Sequence, residues 1–171
     1  MELTTIGRLV AEDPLSTFVK WYFETRPLPR IPRDGFTEFD GISGVVLFRE
    51  GPMQVQYFLC HAEVEIPDHQ HPNVDSYEVG SSGIEFRHSG RLAVSFRMDS
   101  AGKPAARFGC IRVRPGDAHG GRSSPQGGSF FSVQHWLHGI PPSSVHHDWD
   151  GESIGTDHAA QRRTGGVVCL T

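Results

Sequence analysis

The 171-residue sequence predicts an all-β domain preceded by one helix, and three observations carry that prediction. From residue 42 to residue 137, apolar and polar residues alternate in short runs, the period of strands lying on a core. Clusters of Gly, Pro and Ser punctuate those runs. Helical spacing is confined to a stretch near the N-terminus, and many short strands with almost no helix define a sandwich or barrel.

The helix comes first. Asp13 is placed to cap it, Pro14 suits the first helical position, and Leu15, Phe18, Val19 and Tyr22 form an apolar stripe at helical spacing. The helix is expected to stop near Arg26, ahead of the extended Pro27-Leu28-Pro29-Arg30-Ile31-Pro32 segment. The strands follow: Ile42–Arg49, Gln54–Ile66, Ser76–Gly80, Gly83–Arg87, Leu92–Met98, Ala106–Val113 and Ser129–Leu137. Gly120-Gly121 and Gly127-Gly128 flank Ser123-Ser124-Pro125 and read as a loop, either a lid or a plain turn. From Pro141 the chain mixes Ser, His, Asp and Gly and reads as an irregular tail. The division expected is an arm at 1–35, a barrel at 36–140 and an extension at 141–171.

Bulk properties narrow the function. A net charge of −4, with Lys and Arg scattered, leaves no basic footprint for nucleic acid. No run of 18 apolar residues offers a membrane span. The N-terminal residues carry acids early and do not resemble a signal peptide. Cys60, Cys110 and Cys169 are widely spaced and odd in number, which predicts reduced thiols in a cytoplasmic protein.

The informative residues are histidines, of which there are ten. His69 and His71 stand one residue apart, so on a strand they project to one side, about 7 Å apart. Asp75 continues the same parity, and His119 closes the run Pro115-Gly116-Asp117-Ala118-His119. Three imidazoles and a carboxylate meeting at one point are ligands for a first-row transition metal. Glu78 is the alternative acid; it has the opposite parity to Asp75 and needs a bulge to join the histidines. His135, sharing a face with Phe131, Val133 and Leu137, is expected to point inward and to hold a ligand or move a proton. Tyr57, His61 and Tyr77 are candidates to line the pocket, and Arg112 to bind a substrate carboxylate.

The segment from Pro67 to Val79 resembles the first motif of the cupin superfamily, His-x-His followed by an acid entering a strand. Arg114-Pro115-Gly116-Asp117-Ala118-His119 resembles the second, with the proline shifted next to the glycine. The resemblance covers roughly residues 40 to 137 and implies a small, single-domain jelly-roll barrel whose two motifs aim their ligands into its mouth. It makes His69, His71 and His119 the imidazole ligands and puts Asp75 in the acid's place, where glutamate is usual. It further implies one divalent transition metal, iron first with Mn, Ni, Co or Zn as alternatives, a small polar substrate and a homodimer. A non-haem dioxygenase heads the expected functions. A metal-dependent isomerase or lyase, or a binding or structural cupin without turnover, stands as the alternative.

Overall fold

The computed structural model describes residues 13–25, 31–94, 97–98, 104–105, 109–139, 145–147 and 153–156. Helix α1 spans Pro14–Thr25. Its start follows from the capping residue: Asp13 Oδ1 accepts from the Ser16 backbone N–H at 3.0 Å, and Ser16 Oγ donates to Asp13 Oδ2 at 2.8 Å.

Fourteen strands follow among the described residues: β1 Thr37–Phe39, β2 Ile42–Glu50, β3 Met53–Cys60, β4 Glu65–Gln70, β5 Val74–Ser82, β6 Ile84–His88, β7 Arg91–Val94, β8 Arg97–Met98, β9 Pro104–Ala105, β10 Cys110–Val113, β11 His119–Ser123, β12 Gly128–Trp136, β13 Val145–His147 and β14 Ser153–Thr156. They form two six-stranded sheets, ordered β1-β2-β3-β12-β5-β10 and β14-β13-β4-β11-β6-β7, with β8 and β9 as a separate pair. The pairings are antiparallel.

Three details depart from the sequence-based expectation. The long strand Gln54–Ile66 is two strands, separated by a corner at which Glu63 takes φ 57 and its N–H donates to Ser124 O at 3.1 Å. No Gly, Pro or Asn advertises that corner. Gly120 and Gly121 lie in β11, not in a loop or lid; the link to β12 is a tight turn bridged between Ser124 and Gly127. A Cβ on Gly120 would lie 2.8 Å from Ile66 O and collide with Asp68 Oδ1, so β11 approaches β4 this closely only because glycine stands there. In the C-terminal extension, β13 and β14 continue the second sheet beyond β4.

Two apolar clusters lie on opposite faces of the first sheet. Ile42, Phe58, Cys60, Ile111, Val113 and Phe130 meet Ile84 and Phe86 of the second sheet. The Phe58 and Phe130 rings stack at 4.8 Å, and Phe86 meets Phe130 edge-on at 5.5 Å. On the outer face, Leu15, Val19, Tyr22 and Phe23 of α1 cover Val55, Tyr77, Val79, Phe131 and Val133. The first sheet is therefore buried on both sides, and hydrophobicity alone does not tell which face looks inward.

Candidate metal centre

The second sheet places the histidines. In β4 and β11, His119 pairs with His69 and Gly121 with Ile66, so Pro67 and Asp68 oppose the single residue Gly120. This β-bulge inverts the alternation. Ile66 packs toward the core between the sheets, and beyond the bulge His69 regains the inward direction. Proline is tolerated at a bulge because the ladder is already broken there. His71 follows the end of β4, and its carbonyl accepts from Gly116 N–H at 3.0 Å. That bond ties the first histidine segment to the turn carrying the second, in which Gly116 takes φ 83.

His69, His71 and His119 are all buried, and one ring nitrogen from each lies within 4.8 Å of the others. Ring centroids are 4.2 Å apart for His69 and His119, 4.9 Å for His69 and His71, and 5.3 Å for His71 and His119. His69 Nδ1 lies 2.8 Å from Pro67 O, and His119 Nδ1 lies 3.4 Å from Asp117 O. A carbonyl only accepts, so both Nδ1 atoms carry the proton and both Nε2 atoms present lone pairs. Burial, then the neighbouring His69 and His71, holds His119 well below the usual imidazole pKa and keeps it neutral. Three buried imidazoles, two of them with a tautomer fixed by a backbone carbonyl, are a donor set for a divalent transition metal.

Asp75 is not in this group. Both of its oxygens accept from Arg112, Nε to Oδ1 at 3.0 Å and Nη2 to Oδ2 at 2.6 Å. Arg112 also reaches the helix cap, Nη1 to Asp13 Oδ2 at 2.7 Å and Nη2 to Asp13 Oδ1 at 3.1 Å. Its guanidinium carbon stands 5.3 Å from the Tyr77 ring centre. Burial by itself would raise the Asp13 pKa; Arg112 and the Ser16 hydrogen bonds outweigh it and bring it down to about 2. Arg112 thus clamps α1 to the outer face of β5 and β10, where no substrate carboxylate can displace two bidentate partners cheaply.

The other candidates share that outer face or the surface. Tyr77 packs under α1, with its hydroxyl 2.8 Å from Ser16 Oγ. Tyr57 packs beside Phe131 at 4.9 Å between ring centres. His135 shares the parity of Phe131 and Val133, which lie against α1, so it points outward. His61 is exposed and faces Glu38 at 3.6 Å. The placement of Asp75 and Tyr77 has one cause: the turn at Pro72 and Asn73 resets the alternation between His71 and β5, so odd-numbered residues of β5 face the helix and even-numbered ones face the barrel.

The even-numbered face holds what the sequence-based expectation missed. Inward positions on β3 run Gln54, Gln56, Phe58, Cys60; on β12, Phe130, Ser132, Gln134, Trp136; on β5, Val74, Ser76, Glu78, Gly80. A Cβ on Gly80 would meet Phe86, and two residues further along β6 stands His88, the pairing partner of His119. The barrel interior is therefore apolar at one end and polar at the other, and the histidines occupy the polar end. Glu78 lies here, not by a bulge but because its parity is the inward one. Ser76 Oγ and Ser132 Oγ donate to Glu78 Oε1 at 2.8 and 3.0 Å. Burial pushes its pKa up to about 7 against the pull of those two bonds. At the rim, His88 Nε2 lies 3.1 Å from Asp117 Oδ2, which also accepts from Arg114 N–H at 2.9 Å.

No family model and no curated protein matches the sequence. Solved structures do match the fold. The chain is similar to KdgF from Halomonas sp., with a TM-score of 0.50 and 10% identity over 61% of this chain and 88% of that one. It is similar to an RmlC-like cupin from Shewanella frigidimarina, with a TM-score of 0.48 and 14% identity over 62% and 86% of the two chains. For TT1209 from Thermus thermophilus the values are 0.49, 15%, 66% and 96%. Identities this low speak to fold alone. Two antiparallel sheets closed over a buried histidine triad define a β-barrel of jelly-roll type. The fold is that of the cupin superfamily.

Proposed function

We propose that this protein is a metal-dependent enzyme that moves a proton on a small polar molecule, an isomerase or lyase. One observation carries the proposal: His69, His71 and His119 converge, all buried, at the polar end of the barrel. They would hold one divalent cation through Nε2 of His69 and His119 and one ring nitrogen of His71. Such a cation supplies Lewis-acid polarisation of a ligand oxygen. Three neutral donors leave its double charge uncompensated, which favours an anionic ligand such as a carboxylate or enolate.

Glu78 supports proton transfer over other chemistry. With a pKa of about 7 it is populated in both protonation states near neutrality, the condition a general acid–base group needs. Ser76 and Ser132 fix Oε1, so the carboxyl is oriented before a ligand arrives. The burial that shifts Glu78 also keeps bulk water from competing for the proton.

Dioxygen chemistry is the second reading, supported by the donor set itself, since three imidazoles suit iron(II) as well as Mn, Ni, Co or Zn. The test separates the two. The metal-loaded protein is incubated in D2O with small 2-keto and 2-hydroxy acids, with and without oxygen, and carbon-bound deuterium is followed by NMR. Proton-transfer chemistry predicts exchange that persists anaerobically and falls at least a hundredfold in Glu78→Gln. Turnover that requires oxygen and survives Glu78→Gln overturns it in favour of a dioxygenase.

A further inference from the structure

Three glutamines side by side in a barrel interior need an explanation. Gln54, Gln56 and Gln134 are each at most 5% exposed, and they come from adjacent strands β3 and β12. Their hydrogen bonds run in a fixed direction. Trp136 Nε1 donates to Gln134 Oε1 at 3.0 Å, and an indole N–H only donates, so the orientation of the Gln134 amide is decided. Gln134 Nε2 therefore faces Gln56 Oε1 at 3.1 Å and Ser132 Oγ at 3.2 Å. Gln54 Nε2 donates to Gln134 Oε1 at 3.4 Å. With its oxygen committed to Gln134, Gln56 is left with a buried Nε2 that has no acceptor. An unmade bond at a buried amide is destabilising, because the group has given up water and gained no partner. Leucine or methionine would fill the same volume without that cost.

We infer that this amide layer is the specificity wall of the site and that Gln56 Nε2 donates to a hydroxyl oxygen of the bound molecule. The inference rests on the metal-site reading above and adds the class of ligand to it. The inward side chains of the layer are amides and serine hydroxyls, groups that both donate and accept, as an alcohol does. Ser132 pairs with Gln56 on one side and with Glu78 on the other, and its Oγ donates to Glu78, so a hydroxyl seated on Gln56 Nε2 places its neighbouring carbon toward the carboxyl. A neutral-ligand cation calls for an anionic end and the amide layer for a hydroxylated one. The ligand is a small hydroxylated carboxylic acid.

The experiment uses the full chain loaded with Co(II) and matched probes: glycerate and gluconate against propionate and hexanoate. Binding is read twice, from the visible absorption of the cobalt and from Trp136 emission in a Trp21→Phe/Trp149→Phe background. The hydroxylated acids are expected to bind at least tenfold more tightly than their deoxy counterparts. Gln56→Leu should bring that preference below threefold while leaving cobalt stoichiometry unchanged. Equal affinity for hydroxylated and deoxy acids in the wild type overturns the inference without needing any variant to fold. A preference that survives Gln56→Leu overturns it too, and assigns a buried water to the amide. Failure of cobalt to bind instead sinks the metal centre, and Trp136 emission must then show the same tenfold preference for the amide layer to stand.

Discussion

Replacing Glu78 by glutamine removes a charge that the barrel interior disfavours while keeping the shape of the side chain and its acceptor oxygen for Ser76 and Ser132. The folded-state pKa is raised from 4.5 to about 7, so the folded chain holds this proton more tightly than the unfolded chain. The resulting stability is fully present below pH 4.5 and is lost as pH rises through about 7. For a single group with these two values, linkage gives a wild-type loss of about 2.5 kcal/mol between pH 5 and pH 8. Glu78→Gln does not titrate and escapes that loss. Urea unfolding of metal-stripped wild type and variant at pH 5, 6, 7 and 8 measures the difference; stripping matters because a nearby cation favours the carboxylate. The variant should gain on the wild type by about 2.5 kcal/mol across the series, most steeply between pH 5 and 7. A difference that stays constant with pH would show that Glu78 titrates as an ordinary carboxylate and cannot serve as the proton carrier.

Arg112→Met leaves Asp13 and Asp75 without their shared partner and should cost about 1–3 kcal/mol by urea unfolding, with metal stoichiometry unchanged. A loss of ligand binding without loss of stability would return Arg112 to the substrate site. Gly120→Ala forces a methyl against Ile66 O and Asp68, and it should destabilise by about 1–3 kcal/mol and weaken metal binding through the displaced β4 bulge. Thermal unfolding and metal titration of the same preparation check both effects. His119 is held below the ordinary imidazole pKa, so its contribution to folding is present above pH 6.5 and is lost as pH falls through its lowered value. The urea midpoint of the metal-free protein should therefore fall further between pH 7 and pH 5 than that of metal-free His119→Gln, and parallel falls in the two would contradict this.

Much of the architecture was legible in the sequence because local signals agreed with the final packing. Asp13 and Pro14 start the helix where capping chemistry requires, and the run from residue 42 alternates as strands do. The histidines were legible for another reason: imidazoles at this spacing, with a Gly-Asp-Ala-His turn later in the chain, are costly to bury unless they share a task. What failed was the choice of face. In β5 and β12 the outward residues Tyr77, Val79, Phe131 and Val133 are apolar because α1 covers them, whereas the inward ones include Ser76, Glu78, Ser132 and Gln134. The usual rule of apolar inside and polar outside inverts at the polar end of this barrel. His135 is drawn to the site by that rule, and Asp75 and Tyr77 by a parity counted straight through from His69 and His71. Only the tertiary position of α1 and the turn at Pro72 and Asn73 correct it. The signal that pointed the other way was present: Gln54, Gln56, Ser132 and Gln134 alternate with strongly apolar residues in strands too hydrophobic to be solvated on either face.

Elemental analysis of the purified chain after saturation with zinc(II) or cobalt(II) and desalting addresses the centre itself, using wild type, Asp75→Asn and His119→Ala side by side. One metal per chain is predicted in the wild type and in Asp75→Asn, and less than a tenth of that in His119→Ala. Metal retained equally by His119→Ala, or lost from Asp75→Asn alone while its fold is intact, would contradict a centre built from His69, His71 and His119.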